Sequence, residues 1–151
     1  MTQSLHVYDA GTWELAPFVY VRDGGVWREV QEGYVRESGV WKQFHQAFIA
    51  SVSPTTVTGI RTGGGQVQTN QSFVSVTGGV GPFTFFWDIV SQSGDVTATN
   101  VAPNTTIAGA IEATFSSGGQ SVSGTFRCTV TDTGTGASVV SPLVNFSLVA
   151  I

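Results

Sequence analysis

Trp13, Trp27 and Trp41 stand fourteen residues apart, each two residues after a glycine, and that period constrains the first third of the chain more than any other feature. The copies read His6-Val-Tyr-Asp-Ala-Gly-Thr-Trp13, Tyr20-Val-Arg-Asp-Gly-Gly-Val-Trp27 and Tyr34-Val-Arg-Glu-Ser-Gly-Val-Trp41. An acidic residue (Asp9, Asp23, Glu37) always precedes the glycine by two. A catalytic site seldom repeats its residues three times, whereas a scaffold or contact surface commonly does, so a structural or binding role is expected. Segments 18–22, 26–30, 33–36 and 40–44 are rich in aromatic and β-branched residues, with Asp23-Gly24-Gly25 and Glu37-Ser38-Gly39 between them. Acidic residue, small residue, glycine is hairpin-turn chemistry, because such turns need positive φ that Gly, Asn or Asp adopt most easily. The copies therefore predict a meander of β-hairpins. A two-residue Asp23-Gly24 turn sets Tyr20 opposite Trp27; a three-residue turn sets Val21 opposite Trp27. Either register leaves large side chains on both faces, and so small a sheet cannot cover both by itself. Cover must come from the rest of the chain, from identical segments of neighbouring copies, or from a different protein. Trp13, Tyr20, Trp27, Tyr34, Trp41 and Phe44 are the candidate interface residues.

Length and charge divide the chain. Its 151 residues fit one medium domain, or a domain of about 100 residues with a small appendage. Arg22, Arg28, Arg36 and Lys42, with Asp9, Glu14, Asp23, Glu29, Glu32 and Glu37, fall in the repeats. Only Arg61, Arg127, Asp88, Asp95, Glu112 and Asp132 are charged beyond them, in a stretch dominated by Gly, Ser, Thr and Val. The boundary is expected near residue 50, giving a repeat region at 1–49 and a second domain at 50–151. The net charge of −4 is shared evenly, so no basic face is expected to attract phosphate backbones, and nucleic acid is not an expected partner. The start Met1-Thr-Gln-Ser-Leu-His6 lacks the features of a secretory signal, and no apolar run approaches the roughly 20 residues of a membrane helix, so no membrane insertion is expected. Cys128 is the single cysteine, which excludes an internal disulfide.

Beyond residue 50, strand candidates recur at 55–61, 71–77, 82–90, 96–101, 110–115, 124–131 and 138–149, with turn clusters between them. About seven strands in this length predict an immunoglobulin-like β-sandwich, and the whole chain reads as all-β. Phe83, Phe85, Trp87 and Ile89 alternate with Thr84, Phe86, Asp88 and Val90, which turns Trp87 inward and Phe86 outward. Phe126, Cys128 and Val130 resemble the sixth strand of immunoglobulin-like domains, where an aromatic precedes an inward cysteine by two. Phe126 lacks the tyrosine hydroxyl of that pattern, and the second strand offers Val74 and Val76 where a partner cysteine would stand. Val74, Val76, Phe85, Trp87, Phe126, Cys128 and Val130 are the expected core.

The complete layout, repeats of the type Tyr-Val-Arg-Asp-Gly-Gly-Val-Trp-Arg-Glu-Val followed by Gly-Gly-Val-Gly-Pro-Phe-Thr-Phe-Phe-Trp, resembles minor virion proteins of tailed bacteriophages. That resemblance implies a tail, tail-tip or fibre-associated structural protein, anchored through its repeats to other virion proteins and to copies of itself. Its immunoglobulin-like module would then project outward. It also implies assembly in the bacterial host cytoplasm and residence in the virion. A host-surface module is the alternative, with the loops at 78–82 and 133–136 touching a glycan or protein, and capsid decoration is a further one.

Other features read blandly. Arg22, Arg28, Arg36 and Lys42 are expected to pair across strands with Glu29, Glu32 and Glu37. Cys128 is expected to be a small buried hydrophobe. His6 and His45 complete no metal motif, and Gly63-Gly64-Gly65 opens no helix and reads as a flexible loop. No cofactor is expected. Asp88, Asp95, Glu112 and Asp132 are scattered singly, and with no nucleophile, base and orienter set, no catalytic residues are expected and the chain does not read as an enzyme.

Overall fold

The computed structural model describes residues 6–9, 12–15, 19–30, 32–101 and 106–151, and every regular element in them is a β-strand. Three hairpins come first: β1 (His6–Asp9) with β2 (Thr12–Leu15), β3 (Tyr20–Asp23) with β4 (Val26–Glu29), and β5 (Glu32–Glu37) with β6 (Val40–Gln46). Each is its own two-stranded sheet, so the described repeats are three separate ribbons and not one continuous sheet. The strands that follow are β7 (Ile49–Ser53), β8 (Thr56–Arg61), β9 (Gly65–Gln68), β10 (Ser72–Thr77), β11 (Phe83–Gly94) and β12 (Ala98–Asn100). They continue with β13 (Ala108–Gly109), β14 (Ile111–Phe115), β15 (Gln120–Asp132), β16 (Ser138–Val140) and β17 (Val144–Ala150).

These strands stack in two layers around one core. In the first, β10 lies between β7 and β13, and β14 lies between β9 and β12. The two groups are one layer, because the ladder bridges the break between them. The Thr69 N–H donates to the Ile111 carbonyl at 2.9 Å, and the Ile111 N–H donates to Thr69 Oγ1 at 3.1 Å. The second layer runs β11, β15, β17, β8, with β16 also on β15, and β8 joins β17 in parallel. Period-two alternation turns Phe126, Cys128 and Val130 of β15 and Val144, Phe146 and Leu148 of β17 inward, against Val67, Val74, Ile111 and Phe115 of the first layer.

Trp87 occupies the middle of this core. It pairs in register with Cys128, and its ring lies 5.4 Å from that of Phe126. The buried indole N–H donates to the Thr106 carbonyl at 3.0 Å, which satisfies the one polar atom of the side chain. Gly109 makes room beneath: a Cβ there would stand 2.6 Å from the indole ring. Val74, Trp87, Phe126, Cys128 and Val130 are buried, Val76 and Phe85 are partly buried against them, and Phe86 is exposed on the outer face. Burial pushes the Cys128 thiol up to about 11, so it stays protonated and unreactive at neutral pH.

Packing begins ahead of the expected boundary, and one segment expected to be a loop starts a strand. Packing reaches back to Ala47 and Phe48, and the Phe48 ring stacks on Phe83 at 5.7 Å, so the chain enters the core before β7 and not after it. Gly65, expected in a flexible loop, begins β9 at φ 124° because the Arg61 guanidinium fills the space a side chain would need and donates from Nη1 to the Gln66 carbonyl at 2.8 Å.

Candidate assembly interface

The hairpins owe their register to their turns. Gly24 and Gly25 have φ of 55° and 85°, and Ser38 and Gly39 have φ of 50° and 83°, the doubly positive pair of a type I′ turn. The loop is therefore Gly24-Gly25, which replaces both registers considered from the sequence: Arg22, not Tyr20 or Val21, faces Trp27. The same offset recurs throughout, with Tyr8 facing Trp13 and Arg36 facing Trp41. No atom lies within 4 Å of where a Cβ would stand on Gly24, Gly25 or Gly39, so backbone conformation alone requires glycine there. Ser38 adopts the left-handed conformation without that freedom.

Pairing and alternation then sort the side chains. In the second hairpin Tyr20, Arg22, Trp27 and Glu29 share one face, while Val21, Asp23, Val26 and Arg28 share the other. In the third, Tyr34, Arg36 and Trp41 share a face. Tyr20 is 55% exposed, Trp27 67%, Tyr34 49% and Trp41 65%. The sandwich does not cover them, which removes one of the three sources of cover that the sequence left open. The side chains of Trp13 and Phe44 lie outside the described residues, as do those of Lys42, Glu37 and both histidines.

The charges are arranged differently from expectation. Arg28 approaches Asp23 at 3.8 Å on the face opposite Trp27, and Glu32 accepts a hydrogen bond from the Tyr34 hydroxyl at 2.7 Å. That bond holds the Tyr34 phenol above its ordinary value. Among the described residues Arg22 and Arg36 have no ion-pair partner, and Glu29 Oε1 is shielded from solvent with no donor. Among the described residues no Arg22, Arg28 or Arg36 pair with Glu29 or Glu32 is present, and the register sets Arg22 beside Trp27 and Arg28 beside Val21.

A second feature gathers at one end of the sandwich. The Asp132 carboxylate accepts from the N–H groups of Val80 at 2.7 Å, Gly81 at 3.1 Å and Gly134 at 2.9 Å, tying the 78–82 loop to the 133–136 loop. Burial alone would raise this carboxyl, but the N–H groups of Val80, Gly134 and Thr135 and the Thr135 hydroxyl outweigh it and hold the carboxyl below its ordinary value. In the sequence Asp132 stands as one of four scattered carboxylates of the second domain. The available signal was its place at a strand end before Thr-Gly-Thr-Gly. Gly78 packs directly on the backbone carbonyls of Gln46 and Ala47, so these loops adjoin the point where the hairpins enter.

The other sandwich carboxylates are likewise engaged. Asp88 pairs with Arg127 at 3.3 Å, Asp95 accepts from the Ser121 N–H at 2.7 Å, and Glu112 accepts from Gln66 Nε2 at 2.7 Å. Among the described residues no three His, Cys, Asp or Glu side chains converge as a metal site, and no helix is long and apolar enough to cross a membrane. Comparison with protein-family profiles, curated proteins and solved structures finds no match to this chain.

Proposed function

We propose that this chain is a structural component of a tailed-phage virion, tail, tail-tip or fibre-associated, whose hairpin repeats anchor it while the sandwich, an immunoglobulin-like module, projects away. The supporting observation is the pair of indoles, Trp27 and Trp41, at equivalent hairpin positions on faces that the sandwich leaves open. Exposed aromatic surface repeated at one register favours a contact surface over a catalytic one. Burying it against neighbours supplies stability that an isolated hairpin lacks, at about 25 cal/mol per Å² of apolar surface. The immunoglobulin-like reading draws support from the strand order, in which the second, fifth and edge strands form one layer and the long Trp87 and Cys128 strands lie side by side in the other.

Gold-labelled antibody against the protein tests this reading on phage particles from the native source. Label at the tail tip or along the fibres is the expected outcome. Protein found only free in the lysate, with bare particles, would overturn it, and label confined to heads would convert it to capsid decoration.

The host-surface alternative draws on the Asp132 clamp, which pre-organises the two loops that such a site would use. It ranks second because those loops adjoin the hairpin entry at Gly78 and carry one exposed large apolar residue, Val80. Binding of the full chain to a glycan array, lost in a variant with both loops replaced, would promote it.

A further inference from the structure

The aromatic face of the second hairpin carries charges of both signs in an arrangement that complements itself. Arg22 and Trp27 form the row nearest the turn; Tyr20 and Glu29 form the next row. Rows lie roughly 7 Å apart along a strand and paired residues about 5 Å apart across strands, so the four side chains mark an oblong array. Arg22 and Glu29 occupy opposite corners, and Trp27 and Tyr20 occupy the other two. If two such faces meet about a two-fold axis along the Trp27–Tyr20 diagonal, the hairpins cross at roughly 70°. Each Arg22 then lies over the partner's Glu29, twice per contact, while Trp27 meets Trp27 and Tyr20 meets Tyr20. A two-fold axis along the strands would instead set Arg22 on Trp27 and leave Glu29 against a tyrosine ring, with its charge unpaired.

We propose that this face is a homotypic interface, closed by a second copy of the same chain in the crossed arrangement. The inference rests on the anchoring role of the repeats and names their partner. Three observations select a second copy. The face is neutral and carries one charge of each sign, which matches itself and would be mismatched against a partner of single sign. Among the described residues the two charges go unanswered: Arg22 has no ion-pair partner and Glu29 Oε1 no hydrogen-bond donor. Finally, Tyr20 and Trp27 on this face are 55% and 67% exposed, so it presents aromatic surface that a second copy would cover.

Charge exchange on the full-length chain, read by sedimentation velocity, provides the test. The natural chain is expected to associate as protein concentration rises toward about 1 mM, the weak limit of specific binding. Arg22→Glu and Glu29→Arg, each alone, are expected to raise the dissociation constant about tenfold or more, because like charges then meet across the interface. Mixing the two variants in equal amounts should restore association as a heterodimer, and the double variant R22E/E29R should restore it alone. Trp27→Ser should abolish it in any background. Both charge variants should keep the thermal midpoint of the sandwich, since neither residue touches its core. A natural chain that remains monomeric at every concentration overturns the inference, and so does association indifferent to the single exchanges. Monomeric protein that still labels particles would sink the homotypic contact and leave the virion role intact. Protein that dimerises as described but never labels particles would do the reverse.

Discussion

Trp87 and Trp27 are the same residue on the same kind of strand, yet one is 1% exposed and the other 67%. The difference lies in what stands opposite. Strand β11 has a second layer facing it, so alternation delivers Trp87 into a space already lined by Phe126, Cys128 and Gly109. Strand β4 has a hairpin partner beside it and, among the described residues, no layer facing it, so the same alternation delivers Trp27 to the surface. Pairing edge to edge satisfies backbone hydrogen bonds; only a facing layer removes side chains from water. Two-stranded ribbons meet the first need and leave the second to a neighbour.

The largest test of this contrast is truncation of the buried indole. Trp87→Ala should destabilise the sandwich by about 3–5 kcal/mol and lower its midpoint by about 10 °C in a thermal melt. A loss under about 1 kcal/mol would mean that the facing layer collapses readily and that the contrast is overstated.

Next comes Asp132→Asn, expected to cost about 2 kcal/mol, because an amide replaces a carboxylate that receives several N–H groups. The same clamp makes stability pH-dependent. A carboxyl held below its ordinary value stabilises fully above the unfolded aspartate value of about 3.9, and that contribution disappears as pH falls through the lower native value. Urea midpoints between pH 7 and pH 2 should show the acid loss in the natural chain and a shallower one in the variant. Equal slopes in the two proteins would show that Asp132 is not the group responsible.

Ser38→Gly addresses the hairpins directly. Removing a Cβ from a residue at φ 50° should stabilise the third hairpin by about 1 kcal/mol, seen as slower amide exchange in β5 and β6. Faster exchange would show that the hairpin is limited by something other than its turn.

The smallest effect is expected from Trp27→Ala in the isolated monomer, a change within about 0.5 kcal/mol in the same melt. A loss approaching that of Trp87→Ala would show that Trp27 is covered within its own chain, and the comparison would fail.

Much of this was legible in the residues. Phe126, Cys128 and Val130 announce their inward face by alternation, and Trp87 does so through the run from Phe83 to Val90. The fourteen-residue period also announces hairpins. Their register was readable too, from the glycine that all three copies share: Gly11, Gly25 and Gly39 occupy one equivalent position in the sequence, and the described loops end at Gly25 and Gly39. Reading Asp23-Gly24 in isolation missed this, since either dipeptide fits a type I′ turn. The Arg22 environment followed the same error, because a two-residue slip in pairing changes every cross-strand neighbour. Phe48 and the start of β9 at Gly65 were less accessible. Their order depends on contacts with Phe83 and Arg61, one distant in sequence and one a side chain folding back on its own turn.

Sequence alone determined that the chain is all-β, that its repeats turn as glycine hairpins, and which side chains of each strand share a face, because φ preferences and the two-residue pleat are local properties. Tertiary structure decided which of those faces meets a second layer, which loops the Asp132 carboxylate joins, and that the indoles of Trp27 and Trp41 remain open. Those outcomes depend on what stands across a gap of about 10 Å between sheets, and no local preference reaches that far.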